Sequence, residues 1–124
     1  MKMNFFQCQN CGQIIAIVEE TGMPIICCGE PMKKLTAGTV DASKEKHVPV
    51  CKIDGNTVHV CVGSEAHPMT DDHYIQWIAI QTKEGNQRKC LKPGMKPEAC
   101  FAICDGDEVL AVLAYCNLHS LWQA

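Results

Sequence analysis

Residues 57–62 read Thr-Val-His-Val-Cys-Val, so an extended chain would place Val58, Val60 and Val62 on one side and Thr57, His59 and Cys61 on the other. A period of two marks a half-buried strand, and it predicts that His59 faces away from the valine core. Apolar runs at 74–82, 87–91, 99–104 and 108–115 predict further strands, although Glu-Val-Leu-Ala-Val-Leu-Ala in the last also suits a helix. Asp54-Gly55, Glu84-Gly85-Asn86, Pro93-Gly94 and Asp105-Gly106 punctuate these runs at the spacing of an all-β sandwich. Upstream the runs are shorter: 5–7 and 14–18 flank the turn Cys8-Gln9-Asn10-Cys11-Gly12, and 23–26 follow Thr21-Gly22. The pattern changes at 33–38, which reads as a linker and predicts two domains, 1–36 and 37–124. No internal repeat or low-complexity segment interrupts either part.

Composition changes this picture mainly through sulfur, since ten of the 124 residues are Cys. Such density means a disulfide framework in a secreted chain or metal ligation in a reducing compartment. Met1-Lys2-Met3-Asn4-Phe5-Phe6 has no apolar signal-peptide core and runs straight into Cys-x-x-Cys, which favours the cytoplasm and metal ligation. No apolar run is long enough to span a bilayer, and a net charge of -3 gives no reason to expect nucleic acid or anionic lipid as partner.

Cys8, Cys11, Cys27 and Cys28 form the first candidate metal site. Two intervening residues let Cys8 and Cys11 converge on one ion, with Gly12 permitting the tight turn. Cys27 and Cys28 are adjacent and would point to opposite faces of a strand, so both reach one metal only if the backbone bends, as Gly29 and Pro31 suggest. A segment of this size also needs such a staple to fold. Spacing alone does not choose zinc over iron.

The second candidate set is Cys116 and His119, an i, i+3 pair just past the last expected strand, with His47, His67 and His73. A thiolate and four imidazoles leave a sixth position open on an octahedral ion, a donor set that suits iron or copper as well as zinc and points to a redox centre for a small molecule. Taken singly, His47 reads as a solvated loop residue behind Lys44-Glu45-Lys46, His67 as a turn residue before Pro68, and His73 as the opening of a strand. Trp77 and Trp122 are expected to serve packing, and Met69 to fill a turn or the core. Cys51, Cys61, Cys90, Cys100 and Cys104 lack ligand spacing and are expected to be buried, reduced thiols, with one or two of them oxidised or surface-reactive as the alternative.

In order along the chain stand Cys8-x-x-Cys11-Gly12, Cys27-Cys28-Gly29-Glu30-Pro31-Met32, Glu45-Lys46-His47-Val48-Pro49-Val50, Ala66-His67-Pro68-Met69, His73-Tyr74-Ile75-x-Trp77-Ile78 and Cys116-Asn117-Leu118-His119. Nearly the whole chain thus resembles desulfoferrodoxin, the two-iron type of superoxide reductase. The resemblance implies a desulforedoxin-like domain holding iron through Cys8, Cys11, Cys27 and Cys28. It also implies an immunoglobulin-like β-sandwich whose catalytic iron has His47, His67, His73 and His119 in its equatorial plane and Cys116 on the axis. Lys46 would attract superoxide and order a water that protonates the reduced product, while Glu45 would take the vacant position in the resting ferric state. Rubredoxin or a similar small donor would re-reduce the iron, the protein would be a homodimer, and the role would be defence against oxidative stress. The four-cysteine iron would relay electrons or only hold the domain and dimer together.

Two features depart from that pattern: Ser120 stands where relatives often have Gly, and Asp71-Asp72 place negative charge beside His73. The competing readings are a cupredoxin-like electron carrier, against which no Met follows His119, and a structural zinc-ribbon module, which leaves the histidines unexplained.

Overall fold

The computed structural model describes residues 3–40 and 42–124. The chain divides into two compact units, Met1–Thr36 and Ala37–Ala124. In the first, β1 (Asn4–Gln7) lies between β2 (Ile14–Ile17) and, further along, β5 (Lys33–Lys34), and β3 (Ile26–Cys27) pairs with β4 (Glu30–Pro31). The supposed linker therefore starts inside a sheet, because Gln7 pairs with Lys33 and Phe6 with Lys34. Of the run at 23–26 only Ile26 is in a strand, as the first of the two residues of β3, since Pro24 cannot donate to a ladder. Phe5, Cys8 and Met32 are the buried hydrophobic residues of this unit. A core so small cannot offset the conformational entropy of thirty-odd ordered residues.

The second unit opens with a one-turn helix, α1 (Lys44–His47), followed by β6 (Pro49–Asp54), β7 (Thr57–Val62), β8 (Ile75–Thr82), β9 (Gly85–Cys90), β10 (Glu98–Ala102), β11 (Val109–Cys116) and β12 (Ser120–Gln123). One sheet has the order β10-β7-β6 and the other β12-β11-β8-β9, both antiparallel. Val58, Val60, Val62 and Phe101 from the first pack with Ile78, Ile80, Val112 and Ala114 from the second in one buried cluster, giving an immunoglobulin-like sandwich. The all-β class expected from alternation is the one observed.

Residues 108–115, which suit either helix or strand in isolation, form β11 because β8 and β12 pair with its two edges. Two strands of this unit, β6 and β12, and its helix are absent from the sequence reading, as are the two-residue β4 and β5 of the first unit. β6 carries a mixed Pro-Val-Cys-Lys-Ile-Asp stretch at a sheet edge, with one buried residue, so its hydrophobic period is weak. β12 is four residues long, and Ser120 at its start has φ +64°, which turns the chain sharply enough for Cys116 to pair with Ser120. Cys116 accordingly ends β11 and His119 lies in the hairpin turn that follows, rather than both lying beyond the last strand.

Candidate metal centres

In the first unit the backbone of residues 8–13 folds into a tight loop, with Gly12 N–H donating to the Cys8 carbonyl at 3.0 Å and Cys8 N–H to Gln13 at 2.9 Å. Gly12 has φ +81°, which the loop needs and only glycine adopts freely. Cys28 solves the problem of adjacent ligands by itself taking φ +53°, so the pleat that would send neighbouring side chains apart is broken at the ligand, and Gly29 continues the turn at φ +76°. The sulfurs of Cys8, Cys11, Cys27 and Cys28 lie within 4.8 Å of one another. Cys11 Sγ and Cys27 Sγ are 3.7 Å apart, close to the edge of about 3.8 Å for a tetrahedron with metal–sulfur bonds of about 2.3 Å.

Electrostatics at this cluster are divided. Backbone N–H groups of Cys11 and Asn10 lower Cys8 to about 6, whereas hydrogen bonds with Cys8 and then Cys11 raise Cys27 to about 12 and also raise Cys28. The four sulfurs cannot all ionise together unless a cation compensates the charge, which is the behaviour expected of a thiolate metal site.

The second constellation lies at one end of the sandwich. His47 closes α1 and is buried, while Lys44, Glu45 and Lys46 ahead of it are exposed. The three charged residues mark a surface turn, but its fourth position points inward, so the solvated His47 expected from its neighbours alone is corrected. His67 is buried as well. Around the centre the rings run His47, His67, His73, His119 and back to His47, with centroids 4.6, 4.6, 5.1 and 4.8 Å apart and planes at 75–88°. His47 and His73 face across the square at 6.0 Å. His47, His67, His73 and Cys116 put their donor atoms within 4.8 Å of one another. His119 joins them, its Nδ1 lying 3.0 Å from His47 Nε2 and 3.8 Å from Cys116 Sγ.

Which ring nitrogen faces inward is set by the outer contacts. Nδ1 of His47 lies 2.6 Å from the Ser43 carbonyl and Nδ1 of His67 lies 2.7 Å from the Pro68 carbonyl. A carbonyl only accepts, so both Nδ1 atoms carry the proton and both Nε2 atoms present lone pairs. Those two Nε2 atoms are 3.1 Å apart, a separation that two acceptors tolerate only with a proton or cation shared among them. Protonation is disfavoured: burial lowers His67 to about 4 and is also the leading cause that lowers His47 and His73. Among the described residues His73 Nε2 is the buried side-chain atom with no hydrogen-bond partner. An orphaned buried nitrogen, paired lone pairs and a nearby thiol together fit a cation.

Cys116 is fully buried, and burial raises its thiol while backbone N–H groups of Leu118 and His119 pull the other way. Supporting contacts that carry no sequence signal hold the ligating loops. Asn117 Nδ2 donates to the Asp72 carbonyl at 3.0 Å and its Oδ1 accepts from Tyr74 N–H at 2.9 Å, bracketing His73. The Thr70 hydroxyl donates to the His73 carbonyl and accepts from the His73 N–H, each at 3.2 Å. Met69, half-buried against the core as expected of a filler, also accepts from Ile75 N–H through Sδ at 3.4 Å. Trp122 does more than pack: its ring lies 4.9 Å from that of His47 and its Nε1–H donates to the His119 carbonyl at 2.9 Å, whereas Trp77 stacks on Tyr115. Gly63 is buried where a Cβ would lie 2.7 Å from the carbonyl oxygens of both Glu45 and Lys46 and 2.2 Å from that of Glu65. Its own N–H donates to Val48 at 3.1 Å. Bare backbone is what lets the 62–67 loop press against α1.

The remaining candidates are placed less centrally. Glu45 holds its carboxylate against the Ser43 hydroxyl at 2.9 Å, and backbone N–H and that hydroxyl lower its pKa. Lys46 is exposed, and its charge reaches both His47 and His73. His59 is exposed on the face away from the valines, as alternation predicts. The expectation of buried leftover thiols fails, since Cys61, Cys90, Cys100 and Cys104 are exposed and Cys51 is half-buried, all of them free. They lie on outward-facing strand positions or turns, where no apolar period required burial.

Comparison with known proteins matches residues 39–124 to the family model described as Desulfoferrodoxin and residues 1–35 to Desulfoferrodoxin, N-terminal domain. A desulfoferrodoxin from Syntrophotalea carbinolica is 45% identical over 123 residues, covering 99% of this chain and 96% of the relative. The crystal structure of the superoxide reductase from Treponema pallidum superposes with a TM-score of 0.84 at 39% identity, covering 100% of this chain and 99% of that one. A one-iron superoxide reductase from Giardia intestinalis gives a TM-score of 0.56 at 41% identity, covering 65% of this chain and 96% of its own.

Proposed function

The chain belongs to the desulfoferrodoxin family, and from that premise we propose that it is a superoxide reductase with two iron ions, one held by Cys8, Cys11, Cys27 and Cys28 and the other by His47, His67, His73, His119 and Cys116. The observation that carries this reading is the square of imidazoles with inward nitrogens above a buried thiol, in which His73 Nε2 has no other partner. Four neutral imidazoles and one thiolate suit iron and leave a coordination position free. Iron at this site supplies the single electron by which superoxide, with two protons, becomes hydrogen peroxide. A cupredoxin-like carrier is not favoured, because two further histidines complete the square.

The protein's own residues deliver the anion and the protons. The Lys46 ammonium adds positive charge beside His47 and His73, which raises the encounter rate with an anion and orders water for proton delivery. Glu45 belongs to the same exposed turn, with its carboxylate on the Ser43 hydroxyl, and on leaving Ser43 it would be the residue to cover the coordination position that the other donors leave free. Backbone N–H groups of Leu118 and His119 at the Cys116 sulfur moderate the electron density it donates. A rubredoxin or comparable small donor would return the electron, and Cys8, Cys11, Cys27 and Cys28 would hold an iron that serves as a relay or only as a staple for its domain. Val18, Met23 and Ile26, exposed on the first unit, favour a homodimer. No helix among the described residues is long and apolar enough to cross a membrane; a cytoplasmic place and a part in oxidative-stress defence belong to this proposal.

The test mixes reduced protein of known iron content with a pulse of superoxide while visible absorption, peroxide and oxygen are followed. One peroxide per superoxide with no oxygen is the expected result. Oxygen release would mean dismutation, and no reaction at full iron occupancy would leave an electron carrier or structural metal protein.

A further inference from the structure

On the outer face of the β10-β7-β6 sheet, Cys100 stands directly opposite His59 and Glu98 opposite Cys61. All four are exposed. Cys100 Sγ lies 3.0 Å from His59 Nδ1, and Lys52 of β6 faces His59 from the other side. Cysteine is among the residue types most often buried, so an exposed thiol in contact with an imidazole base stands out from ordinary packing. From this geometry we propose that Cys100, with His59 as its base, is a site of oxidation by hydrogen peroxide to a sulfenic acid. The source of oxidant in the cell rests on the superoxide-reductase reading, since peroxide is its product.

The step balances with peroxide as the only oxidant. His59 takes the proton from the Cys100 thiol, the sulfur attacks one peroxide oxygen, and the O–O bond breaks. The departing oxygen keeps its own hydrogen and takes the proton back from His59, leaving as water, while the sulfur, oxidised by two electrons, keeps the other oxygen with its hydrogen as S–OH. The other thiols lack this combination. Burial, then the Glu98 carboxylate 3.7 Å away, raises Cys61 and keeps it a thiol, and burial raises Cys51. Cys90 has the Arg88 guanidinium at 2.8 Å, a donor that cannot accept the thiol proton. Cys61 is the diagonal neighbour of Cys100 across β7 and β10. Diagonal pairs stand about 7–8 Å apart, beyond the roughly 6.8 Å that a disulfide spans. The sulfenic acid therefore persists until an outside thiol caps it.

The experiment treats thiol-reduced holoprotein with about one equivalent of hydrogen peroxide and traps sulfenic acid with dimedone. Peptide mass spectrometry then locates the label, with fragmentation to separate Cys100 from Cys104 and Cys116, because residues 97–124 contain no Lys or Arg. Label concentrated on Cys100, formed about tenfold more slowly in His59→Gln and absent from that peptide position in Cys100→Ser, is the expected result. Label shared evenly among Cys61, Cys90, Cys100 and Cys104, no label on Cys100, or an unchanged rate in His59→Gln would overturn the proposal. Both substitutions are at exposed strand positions and leave the core intact. Peroxide is added directly, so this outcome is independent of the superoxide assay, and either reading can fail while the other stands.

Discussion

The two metal centres follow opposite plans. In the first unit only two buried hydrophobic residues among those described, Phe5 and Met32, stand beside the four cysteines, of which Cys8 is itself buried. In the second the donors ride on the end of a sandwich whose core of valines, isoleucines and Phe101 exists without them. The sulfurs of the first need a cation to coexist, whereas the imidazoles of the second are oriented beforehand by carbonyls of Ser43 and Pro68 and by the Asn117 clamp. One centre makes its fold; the other is made by its fold.

Iron removal is the strongest way to break this contrast. Chelation under reducing conditions should unfold residues 3–36 while β6 to β12 keep their amide protection, as read by hydrogen exchange. Equal loss of protection in both units, or none in the first, would end the comparison. Gly63→Ala should act only on the second unit, lowering its stability by about 2–4 kcal/mol through overpacking and a strained positive φ. Thermal melts would show it, and the four-cysteine absorption should stay unchanged; a melting point within error of the parent would mean that the 62–67 loop does not press on α1.

A smaller effect follows from the buried histidines. Their folded-state values lie below the ordinary 6.5, His67 at about 4, so between these limits the unfolded chain binds protons that the fold excludes. Stability of the iron-free sandwich should fall as pH drops from about 6.5 towards 4 and stay level above that range. Urea midpoints at three pH values would check the sign, and a flat profile would show that the rings are not held neutral. The smallest change expected is in encounter rate. Asp71→Asn with Asp72→Asn removes two exposed negative charges beside His73, and should raise the second-order rate with superoxide by no more than about threefold at low salt and not at high salt. No change at low salt would mean that these charges do not slow the encounter.

The alternation of Val58, Val60 and Val62 and the turn pairs made the sandwich legible before any coordinates, and the Cys-x-x-Cys and Cys-x-x-His spacings pointed to the donors. What stayed hidden depends on partners distant in sequence. β6 and β12 are strands because neighbours pair with them, not because their own residues alternate. Asn117, Thr70, Trp122 and Gly63 act through backbone groups brought up by the fold, and a short polar residue or a glycine has no period to betray it. The exposed cysteines were misjudged for the reverse reason: residue type suggested burial, but strand register put them outside.

The edge-on square of His47, His67, His73 and His119 leaves each ring wedged by the next, with planes at 75–88°. Such rings mesh like gear teeth. None swings without moving its neighbour, and two are pinned through Nδ1 as well. Donor atoms held in this way would keep their positions if the charge of an ion between them changed by one, and the nuclear rearrangement accompanying such a change would be correspondingly small.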